Sequence, residues 1–328
     1  MKFLGFSFLA GLVAALGFEP VGLWPLTALG FAALMGLILT APSMRSALAR
    51  GWVFGVGHFT LGLNWIATAF TYQAAMPAWL GWIAVVLLSL YLAVYPAMAA
   101  GLAWRWGRQD GMRFTLLFAA AWIVTEWLRA TMFTGFAWNP VGVAMVDTGF
   151  GDFAKVIGTY GVSGAVMLFS GVIMLLFTEP RRMRLIPLAA ALSGAVIVAY
   201  FIGGEPLDAP DLRVRIVQPN IGQQDKWKEG FEARNFERLR RLSGQPGGAP
   251  RLLLWPEAAV TDPLQDERDN PYYKRQAEQL RQRVGRIIGP GDLLLTGGVT
   301  FQSKDGVEVS SATNSVFAMD HRGRILGR

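Results

Sequence analysis

The sequence predicts a membrane α-helical bundle followed by an α/β domain. Three observations lead there. The 328 residues are 53% hydrophobic and only 16% charged, with mean hydropathy +0.36, too apolar for one soluble domain. Up to about residue 204, long apolar runs alternate with short polar or basic breaks. From Glu205 onward charged residues become frequent, and strand-like alternation exchanges with helical periodicity. These shifts divide the chain into a transmembrane domain, 1–204, and a second domain, 205–328.

The apolar runs in order predict seven crossings, each judged against the ~20 residues that span a bilayer. The first, Phe3 to Phe18, is short and turns back at Glu19, Pro20, Val21 and Gly22. The second runs from Leu23 to Thr40, with Arg45 and Arg50 in the loop after it. The third, Gly51 to Tyr72, carries Gly51 and Gly55 at small-xxx-small spacing, with His58 and Asn64, and so has one packing face. An uncharged linker, Gln73 to Ala78, leads to the fourth, Trp79 to Trp104, bordered by Trp104, Arg105, Trp106 and Arg108.

The fifth run, Phe114 to Phe133, holds Glu126 and Arg129 three residues apart on one helical face. An acid within a span is a functional candidate, but an intrahelical ion pair explains it more simply. The connection Thr134 to Asp152, TGFAWNPVGVAMVDTGFGD, is too apolar for a solvated loop and is expected to lie on the bilayer surface. The sixth run, Phe153 to Thr178, contains Gly158, Gly161 and Gly164, read as a close-packing stripe. Its GVSGA fails as a nucleophile elbow because Ala165 stands where the second Gly is required. The seventh run is Leu185 to Ile202.

Lys2, Arg45, Arg50, Arg105, Arg108, Arg113, Arg181, Arg182 and Arg184 fall on one side of these crossings, and Arg129 and Lys155 on the other. That asymmetry puts the amino terminus in the cytoplasm and everything after Gly204 outside, the periplasm of a bacterium. It also explains the net charge of +7 without a nucleic-acid partner. The absence of Cys excludes disulfides and a thiol nucleophile within these residues, and two His, His58 and His321, make a His-based metal site unexpected.

In the second domain Leu212 to Gln218 reads as a strand, Gln223 to Leu242 as a charged amphipathic helix, and Ser243 to Pro250 as a Gly/Pro loop. A buried strand, Leu252 to Leu254, ends at Trp255 and Pro256, and Pro favours the first position of a helix. Glu257 is therefore expected in a first helical turn at the carboxyl end of a strand, where α/β sheets collect chemistry. Complementing that helix dipole is the competing role for the same carboxylate. A helix from Pro271 to Ile288 and strands at Leu293 to Val299 and Asn314 to Met319 follow, giving a layered α/β domain whose sheet reads as unfinished at Arg328.

With these elements placed, several stretches resemble the apolipoprotein N-acyltransferase family, bacterial inner-membrane enzymes with a nitrilase-superfamily domain. They are GFEPVGLWPL, GWVFGVGHFTLGLNWI, EWLRATMFTGFAWNP, VQPNIGQQDKW and LLLWPEAAV. The resemblance implies a nitrilase-like αββα sandwich in 205–328 and a Glu, Lys, Cys triad. In it Glu257 is the proton acceptor, Trp227 matches a Trp beside the active site, and Asn314 falls where the family has an Asn before its central strand. Trp227 as a helix anchor and Asn314 as a turn terminator remain the structural alternatives. The implied reaction moves an acyl chain from a phospholipid, through a Cys thioester, to the α-amine of the diacylglyceryl-Cys of an apolipoprotein. No cofactor is implied, and the partners are the two lipid substrates and the bilayer, the protein being a monomer. Trp138 and Phe136 are candidates for a lipid entrance.

The family's YDKxHL-like Lys motif and its Cys match none of the 328 residues; Lys304 lies in a polar SKDG hairpin instead. The chain is accordingly expected to be part of a longer product and inactive alone. A membrane-tethered nitrilase-type amidase and a non-catalytic membrane protein are the alternatives.

Overall fold

The computed structural model describes residues 2–71, 77–178, 212–222, 225, 230–257 and 259–328. The chain divides into two compact units, Met1–Glu205 and Pro206–Arg328, a mostly helical one and one with a mixed sheet.

The first unit contains α1 (Lys2–Ala15), α2 (Trp24–Leu39), α3 (Met44–Gly62), α4 (Trp65–Phe70), α5 (Ala78–Leu92), α6 (Val94–Gly107), α7 (Gly111–Thr131) and α8 (Ala154–Thr178). Among the described residues two stretches, Ala78–Gly107 and Gly149–Thr178, are long and apolar enough to cross a membrane; α3 with α4, bent by 47°, forms a third if taken as one span. Leu185 to Ile202 lies outside the described residues.

Local chemistry sets the helix starts. Ser43 Oγ accepts from the Ser46 amide (3.3 Å) to open α3, and Asp110 Oδ1 accepts from the Arg113 amide (2.7 Å) to open α7. Helix α3 thus starts seven residues before the expected Gly51, which corrects the reading of Arg45 and Arg50 as loop charges. Arg50 is buried, donating to the Leu37 carbonyl and to Thr40 Oγ1 (3.2 Å) with its guanidinium 4.6 Å from the Phe3 ring.

The bundle core is aromatic. Phe31 packs edge-on against Trp122 (4.8 Å) and at a tilt against Phe54 (5.0 Å), and Phe118 stacks on Trp122 (5.9 Å). Glycine admits the close helix contacts. A Cβ on Gly51 would sit 2.6 Å from Ala100 Cβ, and one on Gly55 2.8 Å from Ala93 Cα. In the expected stripe of α8 only part behaves this way. Gly164 faces the Ile123 side chain (2.4 Å from a Cβ), whereas Gly158 has φ 71° and breaks the helix with open space beside it.

The second unit contains β1 (Arg213–Ile216), α9 (Glu232–Ser243), β2 (Arg251–Leu254), β3 (Gln265–Asp266), α10 (Pro271–Gly285), β4 (Leu293–Gln302), β5 (Ser311–Met319) and β6 (Ile325–Gly327). The sheet order is β1-β2-β4-β5-β6, with β3 beside β4. Strands β1, β2 and β4 run parallel, and β5 reverses direction against β4 with Val299 opposite Asn314 and Gly297 opposite Val316. Leu239, Leu253, Leu280, Val284, Leu294, Phe317 and Met319 form the core between one sheet face and the helices. Side chains alternate across a strand, and on the other face Ile216 is 75% and Val316 63% exposed.

Arg251 and Asp292 lock β2 to the turn before β4. Asp292 Oδ1 accepts from the Arg251 amide (3.0 Å), and Oδ2 from Arg251 Nε (2.9 Å) and the Gly289 amide (3.0 Å). Trp255 Nε1 donates to Ser243 Oγ (2.8 Å), tying the end of β2 to the end of α9.

Candidate functional site

Parallel strands β1 and β2 release the chain at the same edge of the sheet, and the segments leaving them, Gln218 to Ile221 and Pro256 to Asp262, face α9 and α10 across a cavity of about 410 Å³. Its polar lining includes Asn220, Glu232, Asn235, Glu257, Asp262 and Arg283. Asn220 adopts φ 48°, a left-handed conformation that Asn tolerates better than most residues. Asn235 Nδ2 donates to the Asp225 carbonyl (3.1 Å), and the Arg283 guanidinium lies 4.6 Å from the Phe236 ring.

Glu257 does not open a helix. It sits in a turn, and residues 259–262 bend without helical structure, so the expected first-turn position is corrected and a helix dipole does not account for this acid. Its exposed carboxylate is engaged from across the sheet: Asn314 Nδ2 donates to Glu257 Oε1 at 2.5 Å. Asn314 lies inside β5 rather than before a strand, on the same face as Val316. Two residues singled out from sequence, 57 positions apart, thus meet at the carboxyl end of β2. Trp227 lies outside the described residues. Lys304 is exposed in the β4–β5 hairpin, where Asp305 Oδ1 accepts from the amides of Val307 (2.9 Å) and Glu308 (3.0 Å). Among the described residues no group of His, Asp and Glu is placed to hold a metal.

The chain is similar over most of its length to known proteins. Residues 10–172 match the apolipoprotein N-acyltransferase N-terminal domain. An apolipoprotein N-acyltransferase of Rhodopseudomonas palustris is 31% identical over 344 aligned positions, covering 98% of this chain and 62% of that protein. The chain belongs to the apolipoprotein N-acyltransferase family. Family members from Ralstonia nicotianae, 34% identical over 79% of this chain and 50% of the relative, and Brucella melitensis, 33% identical over 98% and 62%, show the same pattern. The chain thus spans less than two thirds of the length of these relatives. Its apolar helices and this family make it a membrane protein.

The region matching the family's N-terminal domain contains a second polar cluster. Glu126 and Arg129, each 3% exposed, lie 3.8 Å apart on α7, the intrahelical pair expected from sequence, but the pair also serves the connection after the helix. Arg129 Nη1 donates to the carbonyls of Phe136 (3.1 Å) and Trp138 (2.6 Å), and Nη2 to that of Asn139 (3.5 Å). Glu126 Oε1 accepts from the Val141 amide (2.9 Å) and from Trp122 Nε1 (3.3 Å). Sequence spacing shows only the pair. The loop contacts depend on left-handed residues at Phe133, Gly135 and Asn139 (φ 58°, 74° and 52°), of which Gly135 and Asn139 signal themselves by residue type and Phe133 does not.

Proposed function

We propose that this chain supplies the membrane domain and the proton-transferring acid of an apolipoprotein N-acyltransferase. The observation that carries the reading is the Glu257 carboxylate, held by Asn314 beside a polar cavity at the carboxyl edge of parallel strands, the place where α/β sheets gather catalytic groups.

In the proposed reaction a Cys thiol gives its proton to Glu257, and the thiolate attacks an ester carbonyl of a phospholipid. A Lys ammonium stabilises the oxyanion. As the tetrahedral intermediate collapses, Glu257 returns the proton to the departing oxygen, leaving a thioester and a lysophospholipid. The free α-amine of a diacylglyceryl-Cys then attacks the thioester, loses its proton to Glu257, and departs as the amide while the thiol is regenerated. The resemblance assigns the Lys and Cys to sequence that matches none of these 328 residues, so this chain alone is proposed to be inactive. Asn314 fixes the carboxylate rotamer, and Trp227 lines the acyl site by resemblance. No cofactor takes part, and the enzyme acts as a monomer.

The mixed sheet has helices on one face and exposed valine and isoleucine on the other. This supports a nitrilase-like αββα sandwich in which a second sheet covers that face. With seven crossings of the bacterial inner membrane and a cytoplasmic amino terminus, domain 205–328 stands in the periplasm, where both lipid-anchored substrates are presented at the interface. Phe136 and Trp138 form part of the lipid entrance.

The test joins this chain at Arg328 to the remaining carboxyl-terminal part of the Rhodopseudomonas palustris relative and supplies phospholipid with a diacylated lipopeptide. N-acylated lipopeptide and an equal amount of lysophospholipid support the reading. Free fatty acid without N-acylation assigns hydrolysis instead and overturns it.

A further inference from the structure

We infer that Glu126 and Arg129 are positioning residues that hold the connection after α7 so that Trp138 faces outward, offering an acyl chain a fixed aromatic ledge; the acyl-chain half of this rests on the lipid entrance proposed above.

Both residues lie on one helix, three positions apart. Their attraction therefore joins no two helices and cannot tie the bundle together. At 3.8 Å it is also a poor return for removing two charges from water. Beyond their own helix, the loop takes most of their hydrogen bonds. The guanidinium gathers the carbonyls of three residues, 136, 138 and 139, and the carboxylate takes the amide of Val141. The donor side meets only acceptors and the acceptor side meets a donor, so polarity and loop direction are matched.

The rest of the loop extends the clamp. Asn139 Nδ2 donates to the Gly62 carbonyl (2.8 Å) at the end of α3, three residues before Trp65 opens α4. Trp65 and Trp138 meet edge-to-face with ring centroids 5.7 Å apart, while remaining 45% and 60% exposed. Phe133, 82% exposed, stands 6.3 Å from Tyr91. A backbone pinned at 136, 138, 139 and 141 leaves the intervening side chains little choice of direction, and Trp138 is the large one that points out.

The test labels the 328-residue chain with 5-fluorotryptophan in phosphatidylglycerol and phosphatidylethanolamine nanodiscs, identifies the Trp138 resonance by its loss in Trp138→Phe, and adds phospholipid carrying a nitroxide on its acyl chain. Arg129→Met is expected to shift the Trp138 resonance while that of Trp104, buried against the Ala41 carbonyl, stays in place. The exchange Glu126→Arg with Arg129→Glu restores an ion pair but inverts the donors and acceptors offered to the loop, and is expected to shift Trp138 in the same way. Glu126→Gln keeps an acceptor for Val141 and is expected to leave it unmoved. Where Arg129→Met does not insert, Asn139→Ala, which removes only the tie to Gly62, is expected to shift Trp65 and Trp138 together. An unmoved Trp138 in Arg129→Met, or a wild-type resonance in the exchanged pair, overturns the inference. A Trp138 signal that moves with Arg129 yet is never broadened by the nitroxide lipid counts against the lipid entrance and leaves the clamp standing.

Discussion

Asn314 donates its side-chain amide to the carboxylate of Glu257, joining the strand that reverses direction to the turn that ends β2. In the proposed role, in which the carboxylate takes and returns one proton per half-reaction, it gains from a fixed rotamer. In the chimera with the Rhodopseudomonas palustris segment, Glu257→Gln is expected to lower the rate of N-acylation by about 10² to 10⁴, the usual contribution of a general acid–base group. Asn314→Ala, removing one hydrogen bond to a charged group, is expected to cost about tenfold. A mass-spectrometric time course of the lipopeptide product measures both, and equal losses for the two variants would place Asn314 in the chemistry itself.

The second unit carries an acid-sensitive joint at Asp292. Burial pushes its carboxyl up, but hydrogen bonds from the Arg251 side chain and from the Gly289 and Arg251 amides outweigh that and hold it below the usual range. The Arg268 guanidinium does the same for Asp266. Both groups are lowered on folding, so the stability they contribute is fully present above the unfolded value of about 3.9 and is lost as pH falls through their folded values. Hydrogen exchange at β2 and β4 amides is expected to be flat from pH 7 to 5, after correction for intrinsic rates, and to lose protection below about pH 4. Asp292→Asn, which leaves Arg251 without its counter-charge, is expected to cost about 3 kcal/mol at neutral pH.

Packing in the first unit makes a sharper prediction. A Cβ on Gly11 would fall 2.1 Å from the Phe54 carbonyl oxygen, and a backbone atom cannot swing away, whereas one on Gly5, on the same helix, would meet nothing within 4 Å. Gly11→Ala is expected to destabilise the bundle by about 1–3 kcal/mol, and Gly5→Ala to be neutral or to stabilise by up to about 1 kcal/mol. Thermal unfolding in detergent reads the difference.

The exposed sheet face tests the proposed sandwich. Ile216→Lys in the 328-residue chain is expected to change stability by no more than about 0.5 kcal/mol and to reduce binding of a hydrophobic dye. In the chimera, where a second sheet would cover Ile216, the same change is expected to destabilise by about 2 kcal/mol or more. Equal small effects in both would argue against the αββα arrangement.

Much of this was legible in the residues. The run Leu252 to Leu254 ended by Pro256 marked β2 and its edge, because a buried parallel strand reads as continuous apolar sequence. Strands β3 and β6, of two and three residues, show no period to detect. Arg50 read as a loop charge because residue type alone does not reveal carbonyls at the end of a neighbouring helix. The strand end singled out Glu257, but the helix expected beyond it does not form, since Pro at a first position permits a helix without supplying the hydrogen bonds that sustain one. Its meeting with Asn314 depends on hairpin register, which no local pattern encodes.

That register makes the acid's partner vulnerable to changes in length more than in chemistry. Deleting a single residue anywhere between the Gln302–Ser311 pair and position 314 would turn the Asn314 amide to the helix-covered side while both Asn314 and Glu257 remained in the sequence. Insertions and deletions in this hairpin should therefore be purged by selection far more strictly than substitutions at its exposed tip.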